Sequence, residues 1–266
     1  MSFRLTILGS ASAMPVSDRN PSAQMLQVYG RLFLLDCGEG AQQQLRRAHL
    51  SIVKISALLL SHIHGDHIFG VFPLLSTMGM LGRKAPLDIY APAAFANHLR
   101  FFLAWHGEGL GFEPVLHPLE MQGPEEIFQT KNVRVTAFPL DHKIETFGFR
   151  FDERYGARKA ADPLFRPSSY AYCSDTRPFP ALAQYIQGVR VLYHEATYPC
   201  EMQDKAEERY HSTTADAARA ALAAGAEKLL VGHYSSRIRD FEGYLAECRA
   251  IFPETSAVSD MDIYEF

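Results

Sequence analysis

The sequence is poor in cysteine, with four in 266 residues. They are far apart and none stands in a C-x-x-C pair, so the chain lacks the spacing of a disulfide framework. The four are Cys37, Cys173, Cys200 and Cys248. A reducing compartment suits such a chain, and we expect a cytoplasmic protein.

Long apolar runs and an excess of basic residues are also missing. The N-terminal MSFRLTILGSAS has no extended apolar core of a signal peptide, and no run approaches the roughly 20 residues that span a membrane. The formal net charge is -4, so no global positive field favours nucleic-acid binding, although a local patch can serve. With 47% hydrophobic residues, the sequence predicts a globular protein with a substantial core and no membrane partner.

Short apolar runs alternate with helical stretches along the chain, which favours an α/β architecture. Repeats, low-complexity tracts and a clear linker are missing, so we predict a single domain over 1–266. Strands are predicted at 3–8, 24–28, 32–35, 57–60, 87–90, 113–119, 133–139, 146–151, 189–193 and 229–231. Helices are predicted at 41–48, 93–104, 214–224 and 241–250, the third with Thr213 and Asp216 as a capping box and Gly225 at its end. Helical signal also resumes after Gly70.

The string SHIHGDHIFG, residues 61–70, places four ligand-type side chains within six positions. It follows a predicted buried strand, and loops at strand ends are where α/β folds build their sites, because the sheet holds them rigidly. Imidazole and carboxylate groups suit a borderline ion such as zinc. We therefore predict a metal site that includes His62, His64, Asp66 and His67.

Three later segments repeat the order of a strand followed by a ligand-type residue. TAFPLDH ends in Asp141 and His142. YAYCSDTR contains Asp175, and LLVGHYSSR contains His233. Because four residues do not complete two tetrahedral ions, these positions are candidates for the remaining ligands.

This order of H-x-H-x-D-H, His, Asp and His resembles the metallo-β-lactamase superfamily. Within it, the chain resembles the ribonuclease Z family, endonucleases that trim the 3′ trailer of precursor tRNA, nearly from end to end. The blocks that carry the likeness are ILGSASAMPVSDRNPSA, LLDCGEGAQQQL, RKAPLDIYAP, SDTR, HEATY, HSTT and GHYSSR. The resemblance implies an α/β metallo-β-lactamase fold, a four-layer αβ/βα sandwich of two mixed sheets flanked by helices, and a homodimer.

The resemblance also implies two divalent metal ions, with Zn2+ expected and Mn2+ or Fe2+ as alternatives for such ligands. When bound, the ions would activate a water for attack on phosphorus and stabilise the attacking and leaving oxygens. The implied ligands are His62, His64 and His142 for one ion, Asp66, His67 and His233 for the other, and Asp175 as the bridge. Asp66 would also orient the nucleophile.

The same resemblance gives Glu195 and His211 a catalytic role. The carboxylate of HEAT would pair with the histidine of HST, which would donate a proton or contact phosphate. This is reasonable because an alkoxide leaving group needs a proton and a carboxylate keeps imidazole charged and oriented. A neighbour of a helix cap is the alternative interpretation of His211.

Four further residues carry less specific predictions. Asp36 is expected to tie its loop to the ligand histidines, and a plain turn aspartate is the alternative. His194 is expected to pack rather than to react. Arg19 and Arg237 are either phosphate contacts or surface arginines.

One feature of the ribonuclease Z family is missing from the sequence. Members usually carry a long Gly/Pro-rich arm that grips the tRNA, commonly between the positions of His142 and Asp175. The interval here, KIETFGFRFDERYGARKAADPLFRPSSYAYCS, starts as a strand and is too short for a projecting arm. Its basic segment 154–166 forms either a reduced substitute patch or an ordinary polar loop.

The missing arm leaves more than one function open. A ribonuclease Z-like endonuclease acting on precursor tRNA is the prediction, and a phosphodiesterase of small substrates, such as cyclic nucleotide or cyclic sugar phosphates, is the alternative. A lactone or thioester hydrolase is disfavoured because the HEAT and HST blocks serve phosphate chemistry. A non-catalytic binding module would have lost ligands, and all seven are present.

Overall fold

The chain, in a computed structural model that describes residues 3–14, 16–238 and 240–266, packs as two compact units. The N-terminal unit contains Arg4–Glu120 and Ser259–Tyr264. The C-terminal unit contains Met121–Val258, together with Phe3 and Glu265–Phe266. The side chains of residues 157 and 158 lie outside the described part.

The N-terminal unit is built on a seven-stranded mixed sheet. Its strands are β1 (Phe3–Gly9), β2 (Ala23–Val28), β3 (Arg31–Leu35), β4 (Ile55–Leu59), β5 (Leu87–Pro92), β6 (Pro114–Leu119) and β14 (Ile263–Glu265), in the order β14-β1-β2-β3-β4-β5-β6. Strands β3 to β6 run parallel, and β2 is antiparallel to β3. Successive residues of β3 and β4 are buried, which explains their continuous apolar runs.

Helices cover this sheet through an apolar core. They are α1 (Ala41–Arg47), α2 (Gly65–Ile68), α3 (Val71–Met80) and α4 (Phe95–His106), with a 3-10 turn at Ile52–Lys54. Leu45 and Leu74 from the helices join Leu58 and Ile89 from the strands in one buried cluster. Such burial fixes the end of β4, from which the histidine-rich segment continues.

The C-terminal unit repeats this construction with a second seven-stranded mixed sheet. Its strands are β7 (Glu125–Gln129), β8 (Val133–Leu140), β9 (Thr146–Glu153), β10 (Ser169–Cys173), β11 (Val191–Glu195), β12 (Lys228–Gly232) and β13 (Thr255–Ala257), in the order β13-β12-β11-β10-β9-β8-β7. Strands β10 to β13 are parallel, whereas β7 to β10 are antiparallel. The helices are α5 (Ala157–Ala160), α6 (Leu182–Tyr185), α7 (Gln203–Arg209), α8 (Thr214–Ala224) and α9 (Phe241–Ile251), with a 3-10 turn at Cys200–Met202.

The parallel strands of this second sheet determine where its functional side chains meet. Asp175 follows β10, Glu195 ends β11, and His233 follows β12. The carboxyl ends of parallel neighbours lie at the same edge of a sheet, where α/β folds place their ligands. Three motifs that are distant in sequence therefore converge.

The predicted α/β class, with two mixed sheets flanked by helices, is confirmed. The ten predicted strands and four predicted helices are all present, within a few residues of the expected bounds. The helical signal after Gly70 corresponds to α3. The sequence reading missed β7, β13 and β14, which are short, and the short helices α2, α5, α6 and α7. The sequence of β7, EEIFQ, is largely exposed and has no alternating pattern. The single domain over 1–266 stays a prediction. Among the described residues, the helices are all too short or too polar to cross a membrane.

Candidate metal centre and catalytic pair

The N-terminal unit carries the predicted ligands of the string HIHGDH. His62 and His64 lie in the connection after β4, and His64 is the residue that precedes α2. Asp66 and His67 lie on α2 itself, whereas the sequence suggested one continuous loop. The short helix turns both side chains back towards the residues that precede it.

Within this set, ligand atoms approach one another in pairs. His62 Nε2 and His64 Nδ1 are 3.0 Å apart, close to the roughly 3.3 Å between two imidazole nitrogens on one tetrahedral zinc ion. His67 Nε2 lies 3.4 Å from Asp66 Oδ2. These pairs agree with the predicted division of the histidine-rich segment between two ions.

Asp36 holds this ligand set in place. It is fully buried, and its Oδ2 accepts hydrogen bonds from the Ser61 hydroxyl at 2.8 Å and from His67 Nδ1 at 2.8 Å. Its Oδ1 accepts the backbone N–H of Ser61 at 2.7 Å. Asp36 thus ties its loop to His67, one of the predicted ligands.

The loop of Asp36 packs against α2 at a glycine. A Cβ atom on Gly38 would lie 2.5 Å from the carbonyl oxygen of Asp66 and 2.6 Å from Cβ of Pro21. A side chain at this position would therefore push the loop of Asp36 and helix α2 apart. The sequence motif LLDCGEG thus serves close packing as well as hydrogen bonding.

The C-terminal unit carries a second set of predicted ligands, around Asp175. The nearest atoms of His233 and His142 lie 3.2 and 3.7 Å from its carboxylate oxygens, each measured from Nε2. His211 also approaches this carboxylate, at 4.0 Å from Nδ1. Asp175, His211 and His233 offer ligand atoms within 4.8 Å of one another. The structure therefore brings together the predicted ligands that belong to this unit.

The surroundings of His142, a predicted ligand, favour its neutral form. Burial lowers the pKa of His142, although Asp175 acts in the opposite direction. Its Nδ1–H donates to the carbonyl of Tyr210 at 2.9 Å, which leaves the lone pair on Nε2. Neutral imidazole with its other nitrogen bonded is the usual form of a metal-binding histidine.

Glu195 and His211 form the predicted pair. His211 Nδ1 lies 2.9 Å from Glu195 Oε1, and Glu195 is fully buried. Burial acts to raise the pKa of Glu195, but the His211 imidazole and its hydrogen bond outweigh it, so the net pKa is lowered. The backbone N–H groups of Thr176 and Ser212 donate to the same carboxylate at 3.2 and 2.9 Å. The site thus holds a charged carboxylate against an imidazole.

Thr197 is a residue of this candidate site that sequence reasoning missed. Its hydroxyl donates to Glu195 Oε2 at 2.7 Å, so it accepts the bond from His233 Nδ1 at 2.9 Å. One side chain thus orients both the carboxylate and a predicted metal ligand. Its position in HEATY, two residues after Glu195, was the available signal.

The carbonyl of Tyr210 was also missed, because a backbone group gives no residue-type signal. Tyr210 follows α7 in the left-handed conformation, with φ at 59°. That conformation redirects the chain before His211. The ring of Tyr210 also stacks beneath the guanidinium of Arg177, 4.1 Å from its centroid, and Arg177 pairs with Asp141 at 2.8 Å.

The less specific predictions have separate outcomes. Arg19 is buried, so it is not a surface arginine. Arg237 is exposed, and its contact with phosphate stays a prediction. His194 is buried, its Nδ1–H donates to the carbonyl of Glu195, and burial lowers its pKa. It packs as expected.

The donors fit a divalent metal ion. Four histidines donate a hydrogen bond from Nδ1–H to a partner in their own unit, which leaves the free lone pair on Nε2. They are His62, His67, His142 and His233. Such outer hydrogen bonds fix the tautomer and orientation of ligand histidines. Imidazole and carboxylate together suit borderline divalent ions.

The fold and these side chains define a metal-dependent hydrolase that binds divalent metal, and the Beta-lactamase superfamily domain matches residues 31–234. Ribonuclease Z of Porphyromonas gingivalis is 34% identical over 295 residues, which cover 97% of either chain. Ribonuclease Z of Cytophaga hutchinsonii is 37% identical, over 96% of this chain and 93% of that one. The crystal structure of human tRNase Z, short form, matches 98% of both chains with a TM-score of 0.84 and 27% identity. The chain belongs to the ribonuclease Z family.

Proposed function

We propose that this protein is an endonuclease that cleaves precursor tRNA at its 3′ end. The observation that carries the proposal is the Glu195–His211 pair, 2.9 Å apart, beside Asp175. A charged carboxylate favours the protonated imidazole, which can give a proton to the leaving oxygen of a phosphodiester. Family membership adds the substrate, because the curated relatives are ribonucleases.

We further propose two ions, with zinc as the native metal. One ion would take His62, His64 and His142, the other Asp66, His67 and His233, and Asp175 would bridge them. The paired ligand atoms within each unit and the Nε2 lone pairs support this division. When bound, the ions supply charge that activates a water and stabilises the oxygens around phosphorus.

The chain's own residues would then perform three tasks. His211 would transfer a proton to the leaving oxygen, and Glu195 would keep it charged and oriented. The hydroxyl of Thr197 would fix the positions of the Glu195 and His233 side chains relative to each other. Asp66, whose Oδ2 accepts the backbone N–H of Ala13 at 2.8 Å, would orient the nucleophile.

Hydrolysis of small phosphodiesters is the second candidate function. The alignment with the P. gingivalis relative spans 295 residues, more than the 266 of this chain, so that relative carries residues with no counterpart here. The connection between β9 and β10 runs from 154 to 168 and contains only the short helix α5. A chain without a projecting arm has less surface to hold a large RNA.

A paired assay separates the two functions. The zinc-loaded protein is incubated with a precursor tRNA that bears a 3′ trailer and, separately, with bis(p-nitrophenyl) phosphate. We expect cleavage at the 3′ end of the acceptor stem as well as hydrolysis of the small diester. Hydrolysis of the small diester with no cleavage of the RNA would refute the tRNA proposal and favour the second function.

We also propose a homodimer in the cytoplasm. On helix α4, Phe101 is 66% exposed and Trp105 is 74% exposed. The two are four residues apart, so they lie on the same face of the helix. Paired exposed aromatic side chains are typical of a protein interface, and a second copy of the chain is the proposed partner. The four cysteines are all free thiols, which suits a reducing compartment.

A further inference from the structure

A cavity of about 650 Å³ lies in the C-terminal unit, between the segment after β9 and the starts of the neighbouring strands. We call it the arginine pocket, because five arginines line it: Arg134, Arg150, Arg154, Arg166 and Arg190. It contains part of the basic segment 154–166, for which the sequence left two alternatives, a reduced substitute patch and an ordinary polar loop. Part of its lining therefore comes from the interval in which the family usually inserts its arm.

The charges of the pocket do not cancel. Three acids line it, and each engages a basic partner: Asp152 pairs with Arg150 at 3.0 Å, Glu227 with Arg190 at 3.1 Å, and Glu153 with Lys159 at 3.0 Å. The remaining three arginines give the pocket a net positive charge. Such a charge in a concave surface attracts anions.

Two of the remaining arginines are available to a ligand. Arg166 is exposed and makes no hydrogen bond or ion pair with any described residue. Arg134 is half exposed, and its one contact with Asp152 is long, at 3.5 Å. The third, Arg154, is exposed but donates to Gln129 and to the carbonyl of Thr130. Guanidinium groups bind phosphate through paired N–H donors, so Arg134 and Arg166 suit a phosphate group.

An aromatic surface accompanies these cations. The rings of Tyr155 and Phe165 are 4.9 Å apart in an edge-to-face arrangement, and Tyr155 is 44% exposed. The ammonium group of Lys159 lies 4.8 Å from the centroid of Phe165. Basic grooves that also carry aromatic rings are typical of proteins that bind single-stranded nucleic acid, because bases stack on the rings.

The pocket lies far from Asp175, at the opposite end of the same strand. Ser169, at the start of β10, lines the pocket, whereas Asp175 follows the other end of that strand. Six residues at about 3.3 Å each separate them by on the order of 20 Å. A small diester at Asp175 does not reach the pocket, but an RNA chain of several nucleotides does.

We propose that the arginine pocket binds the phosphate backbone of the RNA substrate at a distance from the cleaved bond, with Tyr155 as a stacking surface. The inference rests on the proposed endonuclease function and names the surface that replaces the missing arm. It predicts that the pocket acts on RNA and not on small diesters.

The test uses the double variant Arg134→Ala/Arg166→Ala of the full chain. We expect KM for precursor tRNA to rise roughly tenfold or more, with kcat unchanged and with unchanged kinetics on bis(p-nitrophenyl) phosphate. The slope of log KM against log salt concentration should fall by about 0.7–0.9 for each arginine removed. The conservative variant Arg134→Lys/Arg166→Lys should retain most of the slope.

The matched control removes two exposed arginines from helices of the other unit, as Arg46→Ala/Arg100→Ala. It should leave KM and the salt slope near those of the wild type. Equal effects of the control and the pocket variant would overturn the proposal, since the loss would then reflect net charge alone.

A binding measurement separates this inference from the proposed function. The affinity for precursor tRNA is measured by fluorescence anisotropy in the Asp175→Ala chain, with and without the pocket substitutions. Cleavage of RNA by the wild type with no effect of the pocket variants on KM or affinity would overturn the pocket alone. Pocket-dependent binding without cleavage would overturn the endonuclease and leave the pocket standing. An effect on the binding of inorganic phosphate alone would also overturn the RNA proposal.

Discussion

Through its one hydroxyl group, Thr197 is hydrogen-bonded both to Glu195 of the proposed catalytic pair and to the predicted ligand His233. It donates to Glu195 and accepts from His233, both within 2.9 Å. Because a threonine hydroxyl has one proton, this arrangement fixes the tautomer of His233 as well as the orientation of Glu195. The residue therefore positions a predicted metal ligand together with the carboxylate of the proposed catalytic pair.

Replacing Thr197 by Val removes the hydroxyl and keeps the shape of the side chain. We expect kcat on bis(p-nitrophenyl) phosphate and the affinity for zinc each to fall roughly 10–100-fold, because outer hydrogen bonds to ligands have effects of this size. Steady-state kinetics measures kcat, and competition with a chelator measures the affinity for zinc. The Thr197→Ser variant restores the hydroxyl and should recover both properties. Wild-type metal affinity in the Val variant would contradict the positioning role.

Asp175 is the residue on which the proposed two-ion arrangement depends. The Asp175→Ala variant should lose activity on both the RNA and the small diester, and should bind fewer than two ions per chain, because the bridge is lost. Elemental analysis of the purified protein measures the metal content. Asp88→Ala removes an aspartate that pairs with His117 instead and should keep both activities. Two ions per chain in Asp175→Ala would refute the bridging assignment.

Helix α8 shows how far local signals determine an element. It spans Thr214–Ala224, the bounds that the sequence predicted. The hydroxyl of Thr213 and the carboxylate of Asp216 form the reciprocal capping box, and Gly225 ends the helix with φ at 64°. Both signals lie within a few residues of the two ends of the helix. The bounds of α8 can therefore be predicted without knowledge of distant contacts.

Gly225→Ala tests the contribution of the helix end. An alanine at positive φ is strained, so the free energy of unfolding should fall by about 1 kcal/mol, while kcat on the small diester stays unchanged. Urea unfolding followed by circular dichroism measures the change. Gly123→Ala is the control, because its φ is not positive and no atom lies within 4 Å of the added Cβ. Equal stability of the two variants would contradict the role of the left-handed conformation.

The whole molecule divides its predicted ligands between two units, each with its own sheet and core. The N-terminal unit contributes a short contiguous string, and the C-terminal unit contributes residues from the carboxyl ends of several strands. The N-terminal unit also exposes the aromatic pair of α4. Exposed large apolar groups in pairs favour association more than single ones do.

Trp105→Glu tests the proposed homodimer. A buried charge at an interface is costly, so the variant should have the mass of one chain in size-exclusion chromatography with light scattering, whereas the wild type has the mass of two. The control is Leu222→Glu. Leu222 is 59% exposed and lies in the other unit, so this variant should remain dimeric. A wild type with the mass of one chain, or two variants of equal mass, would contradict the α4 interface. Thermal unfolding checks that both variants are folded.

The sequence predicted elements well where their signals are local. Strands with continuous apolar residues, such as β4 and β12, were placed within two residues of their ends. By contrast, β7 and β14 are exposed edge strands of a few residues, and their pairing partners rather than their composition define them. The same limit applied to α2, which looked like a loop because four residues carry almost no periodicity.

The sequence by itself determined the types and order of the ligand side chains, the family, and the ends of α8, because all of these are local in the chain. Only the tertiary structure decided that Thr197 serves two partners, that the carbonyl of Tyr210 orients His142, and that five arginines share one cavity. These contacts join residues from separate strands and loops, and the pairing of strands sets them. Composition and spacing do not record which strand ends become neighbours.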